Sequence, residues 1–123
     1  MFSFVIWDPR SKETILVRDR FGIKPLFYLY KKKELYFSSE IKSLLSLGVK
    51  KQLDLNTVSE YLNFGMPGTL KKTFFKNIKN FPAGHYLKFK DGRIKLKKFW
   101  NIEEFQHLHL FDKNKKKIED DTY

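Results

Sequence analysis

The chain opens on an almost unbroken apolar run. Residues 2–7 (Phe-Ser-Phe-Val-Ile-Trp) are nearly all aromatic or aliphatic, a pattern that predicts a strand buried on both faces. Asp8, Pro9, Arg10, Ser11 and Lys12 follow as a turn, with Pro9 already holding a φ suited to the corner. Glu13 to Arg18 reads as the antiparallel return strand. The chain then bends at Phe21-Gly22-Ile23-Lys24-Pro25, where Gly22 tolerates a positive φ and Pro25 forces Lys24 to be extended. Leu26 to Tyr30 and Glu34 to Ser38 form a second hairpin around a tip of three lysines, Lys31 to Lys33. Strands at this regular spacing, joined by short turns, predict an antiparallel sheet.

From residue 39 the apolar spacing becomes helical. Ser39 to Gly48 places Ile41, Leu44 and Leu45 on one face, with Ser39 as the N-cap candidate and Gly48 as the stop. Asp54 to Leu62 repeats the design, with Leu55, Val58, Tyr61 and Leu62 three to four apart and Asp54 or Asn56 as cap. Gly65-Met66-Pro67-Gly68 breaks that helix. A short apolar stretch (Phe74, Phe75, Ile78, Phe81) leads into the turn Pro82-Ala83-Gly84. Tyr86 to Phe89 and Arg93 to Phe99 then pair around Asp91-Gly92, the strongest hairpin signal in the chain. From Glu103 onward the pattern dissolves into a polar tail, and no internal repeat is present. The order ββββ, αα, ββ predicts an α+β architecture, an antiparallel sheet with two helices. That architecture is incomplete, because nothing before Phe2, Phe4 and Trp7 covers their side of the sheet.

Composition narrows the possibilities. The chain has 123 residues, the size of one domain or part of one. Its 41% hydrophobic and 17% aromatic content excludes a disordered basic tail. It contains no cysteine, so these residues supply no disulfide, thiolate zinc site, iron–sulfur ligand or cysteine nucleophile. The apolar runs fall far short of the ~20 residues needed to span a bilayer. The first residues carry no basic n-region and no small-residue cleavage site. A soluble, cytoplasmic chain without a membrane partner is expected. The formal charge of +11 raises nucleic acid as a partner. However, only Arg10, Arg18, Arg20 and Arg93 among the 25 cations are arginines, and the lysines fall in short separate runs at turns and element ends. The charge reads as a solvated surface, and nucleic acid is not the expected partner.

The inventory of chemistry is thin. His85 follows Gly84 at a turn and reads as a turn histidine rather than a base. His107 and His109 form an H-x-H pair near Asp112, without a third ligand at metal-binding spacing, so no metal is expected. No GxxxxGK[ST] or GxGxxG phosphate loop occurs, and Ser38, Ser39 and Ser43 lie in no nucleophile elbow. Asp19 and Glu40 stand beside apolar strands, where ion pairs with Arg18, Arg20 or Lys24 are the expected use. Residue chemistry alone does not describe a self-contained enzyme.

Four ordered motifs carry a resemblance. They are Met1-Phe2-Ser3-Phe4-Val5-Ile6-Trp7-Asp8, Arg18-Asp19-Arg20-Phe21-Gly22-Ile23-Lys24-Pro25-Leu26-Phe27-Tyr28, Phe37-Ser38-Ser39-Glu40-Ile41-Lys42-Ser43-Leu44-Leu45 and Phe81-Pro82-Ala83-Gly84-His85-Tyr86-Leu87. Together they closely resemble the glutaminase domain of the glutamine-hydrolysing asparagine synthetases. The second motif alone also resembles phosphoribosylpyrophosphate amidotransferases, whereas the helix around residues 55–62 and the stretch from Phe64 to Leu87 favour the asparagine synthetases. The resemblance implies the C-terminal half of a class II amidotransferase domain over residues 1–102, with an incomplete N-terminal nucleophile hydrolase (αββα) fold. Residues 103–123 are then a linker toward a synthetase domain.

The family's nucleophile is an amino-terminal cysteine, and here Phe2 follows Met1. No catalytic or substrate-binding residue therefore carries over. The resemblance implies scaffold roles instead. Arg18, Asp19 and Arg20 would form an ion-pair cluster at a strand end, Gly22 and Pro25 would shape the next turn, Ser39 and Glu40 would start a helix, and Pro82 and Gly84 would make a second turn. No cofactor belongs to this stretch; ATP and magnesium belong to the complete enzyme, as do glutamine and aspartate. The expected partners are the N-terminal half of the glutaminase domain and the synthetase domain, whose ammonia passage the Asp19 loop would help to form. The other readings are a half-domain scaffold or interaction module of a sugar-amidating amidotransferase, and a basic nucleic-acid-binding protein.

Overall fold

A computed structural model of the chain describes residues 1–65 and 72–102. The elements run β1 (Ser3–Asp8), β2 (Glu13–Arg18), β3 (Phe27–Lys31), β4 (Glu34–Ser38), α1 (Ile41–Leu45), α2 (Leu55–Phe64), β5 (Lys79–Asn80), β6 (His85–Lys90) and β7 (Arg93–Lys98). The strands form two antiparallel sheets rather than the single sheet expected, one in the order β1-β2-β6-β7 and the other β4-β3-β5. The split has a local cause. The bend after Arg18 carries β3 out of the first sheet, so β2 takes its second partner from β6, about seventy residues later. The two-residue β5 has no alternating pattern of its own and exists because β3 offers it a free edge.

The registers sort the side chains of the first sheet into two faces. Val5, Leu16, Leu87 and Leu96 lie in one cross-strand row, so they share the inner face. There Leu16 and Leu87 join Leu26, Tyr28 and Phe81 in one buried cluster that locks the two sheets together, with Val5, Leu35 and Phe89 packed against it. Leu29, on the opposite face of β3, is buried, as is Leu44 of α1, and α1 packs against β3 and β4. The described layers are thus sheet, sheet and helix.

The outer face of the first sheet behaves differently. Its rows run Phe4–Val17–Tyr86–Lys97 and Ile6–Ile15–Lys88–Lys95, apolar on β1 and β2 and cationic toward β7. Phe4 and Ile6 are 43% and 50% exposed, and Trp7, at the end of the inner face, is 57% exposed. The expectation of a strand buried on both faces is therefore wrong for β1. It is an edge strand with a single covered face, because no described layer lies over the other.

The helices also depart from the sequence pattern. α1 is a short helix that starts at Ile41. Ser39 does not cap it: Glu40 occupies the cap position without a side-chain cap bond, and its N–H donates to Ser38 Oγ at 3.2 Å. Glu40 instead pairs with Lys42 at 2.7 Å on the surface, where such pairs contribute little. In α2 the expected cap holds, with Asp54 Oδ1 accepting from Thr57 N at 3.4 Å, and Gly65 N closing the last turn on Tyr61 O at 2.8 Å. The face turned inward carries Thr57, fully buried, while Leu55 and Leu62 of the apolar stripe are exposed. Tyr61 is covered only in part, by Phe74 edge-on at 5.3 Å. Among the described residues no helix is long and apolar enough to cross a membrane. Residues Met66 to Gly68 of the predicted helix stop, His107, His109, Asp112 and the whole tail lie outside the described residues.

Because Leu16 and Leu87 join the sheets while Leu62 of the α2 stripe is exposed, the two sites differ in stability. Leu16→Ala is expected to cost about 2–5 kcal/mol in urea unfolding. Leu62→Lys is expected to stay within about 0.5 kcal/mol of the unsubstituted chain.

Candidate functional site

The residues singled out by the motifs meet where β2 ends. Arg18 is almost fully buried there, and its guanidinium donates only to oxygens of other segments. Nε reaches Lys24 O at 2.8 Å, Nη2 reaches Gly22 O at 2.7 Å, and Nη1 reaches Asn80 Oδ1 at 2.7 Å and also Phe81 O. One planar fork thereby fastens the 20–25 loop to the end of β5. Burial pulls the guanidinium below its ordinary pKa, and the neighbouring Asp19 charge pulls the other way.

Asp19 organises the backbone in the complementary sense. The residue is 4% exposed, and its carboxylate accepts four amide N–H bonds. Oδ1 takes those of Phe21 and Ile23 at 3.0 and 3.2 Å, and Oδ2 takes those of Lys24 and Phe2 at 3.1 and 3.3 Å. Burial pushes its pKa up, but the four amide bonds outweigh that and bring it down to about 2. Its main chain is used as fully: Asp19 N donates to Phe2 O at 2.8 Å, and Asp19 O accepts from Gly22 N at 3.2 Å and Gly84 N at 2.9 Å.

Two glycines make this closeness possible. Gly22 has a φ of +65°, and a Cβ there would sit 3.1 Å from Ala83 Cβ and 3.3 Å from the centre of the Arg18 guanidinium. Gly84 has a φ of +66°, with Trp100 O only 3.0 Å from where a Cβ would be. Gly84 O accepts from Phe99 N at 2.8 Å and Trp100 N at 3.3 Å, so the residues leaving β7 return to the same point. The Trp100 ring then meets Phe21 edge-on at 5.2 Å.

The expected ion-pair cluster is corrected by this geometry. Among the described residues the ion pairs are Lys42–Glu40 and Lys88–Glu13, and neither involves Arg18, Asp19 or Arg20. Arg18 neutralises carbonyls, Asp19 neutralises amides, and Arg20 is exposed outside the cluster. Buried charge is satisfied here by many backbone dipoles, because a tight loop brings more of them within reach than it brings side chains. Pro25 contributes through its carbonyl, which accepts from Ser3 Oγ at 3.3 Å, and Pro82 follows Phe81 into the turn. Ser39 and Glu40 do not join the cluster; they stand at the start of α1 beyond β4. Asn80, Trp100 and the amide of Phe2 were not foreseen as participants. Their only signal was proximity to the motifs, since a backbone amide carries no sequence signature.

Chemically, the cluster holds backbone and has nothing free to react. His85 directs Nδ1 to Ala83 O at 2.7 Å, and no group of three His, Asp or Glu able to hold a metal occurs among the described residues. A family profile for the glutamine amidotransferase domain matches residues 1–100. The chain belongs to that family. It is 41% identical over 111 residues to asparagine synthetase [glutamine-hydrolyzing] 2 of Bacillus subtilis (strain 168), covering 85% of this chain and 15% of that protein. Asparagine synthetase [glutamine-hydrolyzing] 3 of the same organism is 33% identical over 113 residues, with 91% of this chain and 18% of that protein covered. Amidase chyE of Penicillium rubens (strain ATCC 28089 / DSM 1075 / NRRL 1951 / Wisconsin 54-1255) is 33% identical over 103 residues, 83% of this chain and 15% of that protein. The amidotransferase chain thus spans less than a fifth of the length of these relatives.

Asp19→Asn replaces an acceptor oxygen by a donor facing amide N–H groups, and is expected to cost about 1–3 kcal/mol at neutral pH. The folded carboxyl titrates near 2 against 3.8 when unperturbed. Its stabilising contribution is therefore complete above the unfolded value and is lost as the pH falls through the folded one. Unfolding midpoints measured from about pH 5 to pH 2 should fall less steeply for Asp19→Asn than for the unsubstituted chain.

Proposed function

We propose that the chain is the scaffold half of the glutaminase domain of a cytoplasmic, glutamine-hydrolysing asparagine synthetase, and that alone it does not hydrolyse glutamine. The observation that carries this reading is the Asp19 cluster. Its Arg18 and Asp19 side chains hold the 20–25 loop and tie it to Phe2, Asn80 and Phe81, while Phe21 and Ile23 at the loop's tip are exposed. The similarity to the two Bacillus subtilis synthetases supports the choice of family branch, and the lack of cysteine supports inactivity of the chain alone.

In this reading an N-terminal cysteine elsewhere in the enzyme attacks the glutamine amide, and the released ammonia attacks an aspartyl-adenylate made from aspartate and ATP. In this reading ATP and magnesium are bound by the synthetase domain. The N-terminal half would add the helical layer of the αββα N-terminal nucleophile fold on the bare outer face of the first sheet. The 20–25 loop would face the synthetase domain and help to form the ammonia passage.

A hybrid in which residues 1–102 replace the matching stretch of Bacillus subtilis asparagine synthetase 2 tests the reading. It is expected to make asparagine from glutamine as well as from ammonia, while the purified chain alone releases no glutamate. A hybrid active with ammonia but not with glutamine would overturn the assignment, as would glutamate release by the chain alone. In the hybrid, Asp19→Ala is expected to lower glutamine-dependent synthesis on the order of tenfold relative to ammonia-dependent synthesis. An equal effect on both would remove the loop from the passage.

A further inference from the structure

A cavity of about 410 Å³ opens between the segment Thr73 to Asn80 and the β6–β7 hairpin. That is within the size range of small-molecule sites, about 300–1,000 Å³. Phe75, Ile78, Pro82 and Leu96 give it an apolar lining. One deep wall is Tyr28, only 8% exposed and stacked edge-on against Phe81 at 5.8 Å. Its hydroxyl makes no hydrogen bond to any described residue and is not sealed from solvent, so a ligand in the cavity can reach it. Burial also raises the pKa of this hydroxyl, so it remains a donor at neutral pH.

The rim is cationic. Lys79 lies directly across from Tyr28 in the β3–β5 register, and Lys72 and Lys76 stand beside it. Asp54 lines the cavity too, but its carboxylate caps α2 through Thr57 N at 3.4 Å. His85 anchors Nδ1 on Ala83 O at 2.7 Å, which leaves Nε2 as its free ring nitrogen. A phenol hydroxyl without a protein partner on the wall, an apolar lining and three exposed lysines around the cavity select one ligand chemistry.

We propose that this cavity binds a small anion with a flat apolar body, an aryl phosphate or aryl carboxylate, its charged group at Lys72, Lys76 and Lys79 and an acceptor at the Tyr28 hydroxyl. The site opens beside β5 and not on the 20–25 loop, so it stands or falls independently of the asparagine synthetase reading.

The test is a titration of the isotope-labelled full chain, followed by amide chemical shifts, with phenyl phosphate, benzoate and uncharged benzyl alcohol as probes. At least one of the two anions is expected to give saturable shifts at Tyr28, Thr73, Ile78 and His85, and the stronger one identifies the charged group. Benzyl alcohol is expected to give none. Tyr28→Phe should weaken the anion about three- to tenfold, the loss of one hydrogen bond. The double substitution Lys76→Gln/Lys79→Gln should weaken it by at least as much. Lys95→Gln/Lys97→Gln, an equal loss of charge on the outer face of the first sheet, should leave the affinity unchanged. The proposal is overturned if neither anion saturates below about 10 mM. Benzyl alcohol binding as well as the anions, or an equal loss from the Lys95/Lys97 pair, would overturn it too.

Discussion

The Asp19 carboxylate, buried and surrounded by four main-chain N–H groups, is the constraint on which the rest of the molecule depends. A loop of six residues that turns the chain from one sheet into another must leave amides without ladder partners. One carboxylate absorbs three of them, those of Phe21, Ile23 and Lys24, and takes the amide of Phe2 as a fourth. The adjacent guanidinium does the same for the carbonyls of Gly22, Lys24 and Phe81. Neither charge could be buried at this point without those dipoles, and the loop could not be this tight without the charges.

From that junction the architecture follows. Arg18 is the last residue of β2 and grips Asn80, the last residue of β5, so the two sheets are held together at one end by a polar clamp. At their centre Leu16, Leu87, Tyr28 and Phe81 supply the apolar contact. Gly84 connects both to the exit from β7, since its N–H binds Asp19 and its carbonyl receives Phe99 and Trp100. Residues from four separated stretches of chain converge there. The faces turned away from this junction, on β1 and α2, stay apolar and exposed.

Much of this was legible in the sequence where local chemistry and pattern agree. The β1–β2 and β6–β7 hairpins, the Asp54 cap and the Gly65 stop follow from turn residues and alternation that no tertiary contact contradicts. Misreadings arose where one signal has two meanings. An all-apolar run such as Phe2 to Trp7 is written identically for a doubly buried strand and for an edge strand awaiting a cover. Leu55 and Leu62 mark an apolar helical face but do not say what meets it. Arg18 and Asp19, adjacent and of opposite charge, suggested an ion pair. Backbone amides and carbonyls, which every sequence contains equally, proved the stronger partners.

By itself the sequence determined the α+β class, most element positions, the lack of a thiol nucleophile and the family, because those depend on local periodicity, residue identity and ordered motifs. Only the tertiary structure decided that there are two sheets, that β5 exists, and that Arg18 and Asp19 hydrogen-bond mainly to main-chain atoms and not to each other. It also brought Tyr28 opposite Lys79 over an open cavity, since non-local register decides which side chains share a wall.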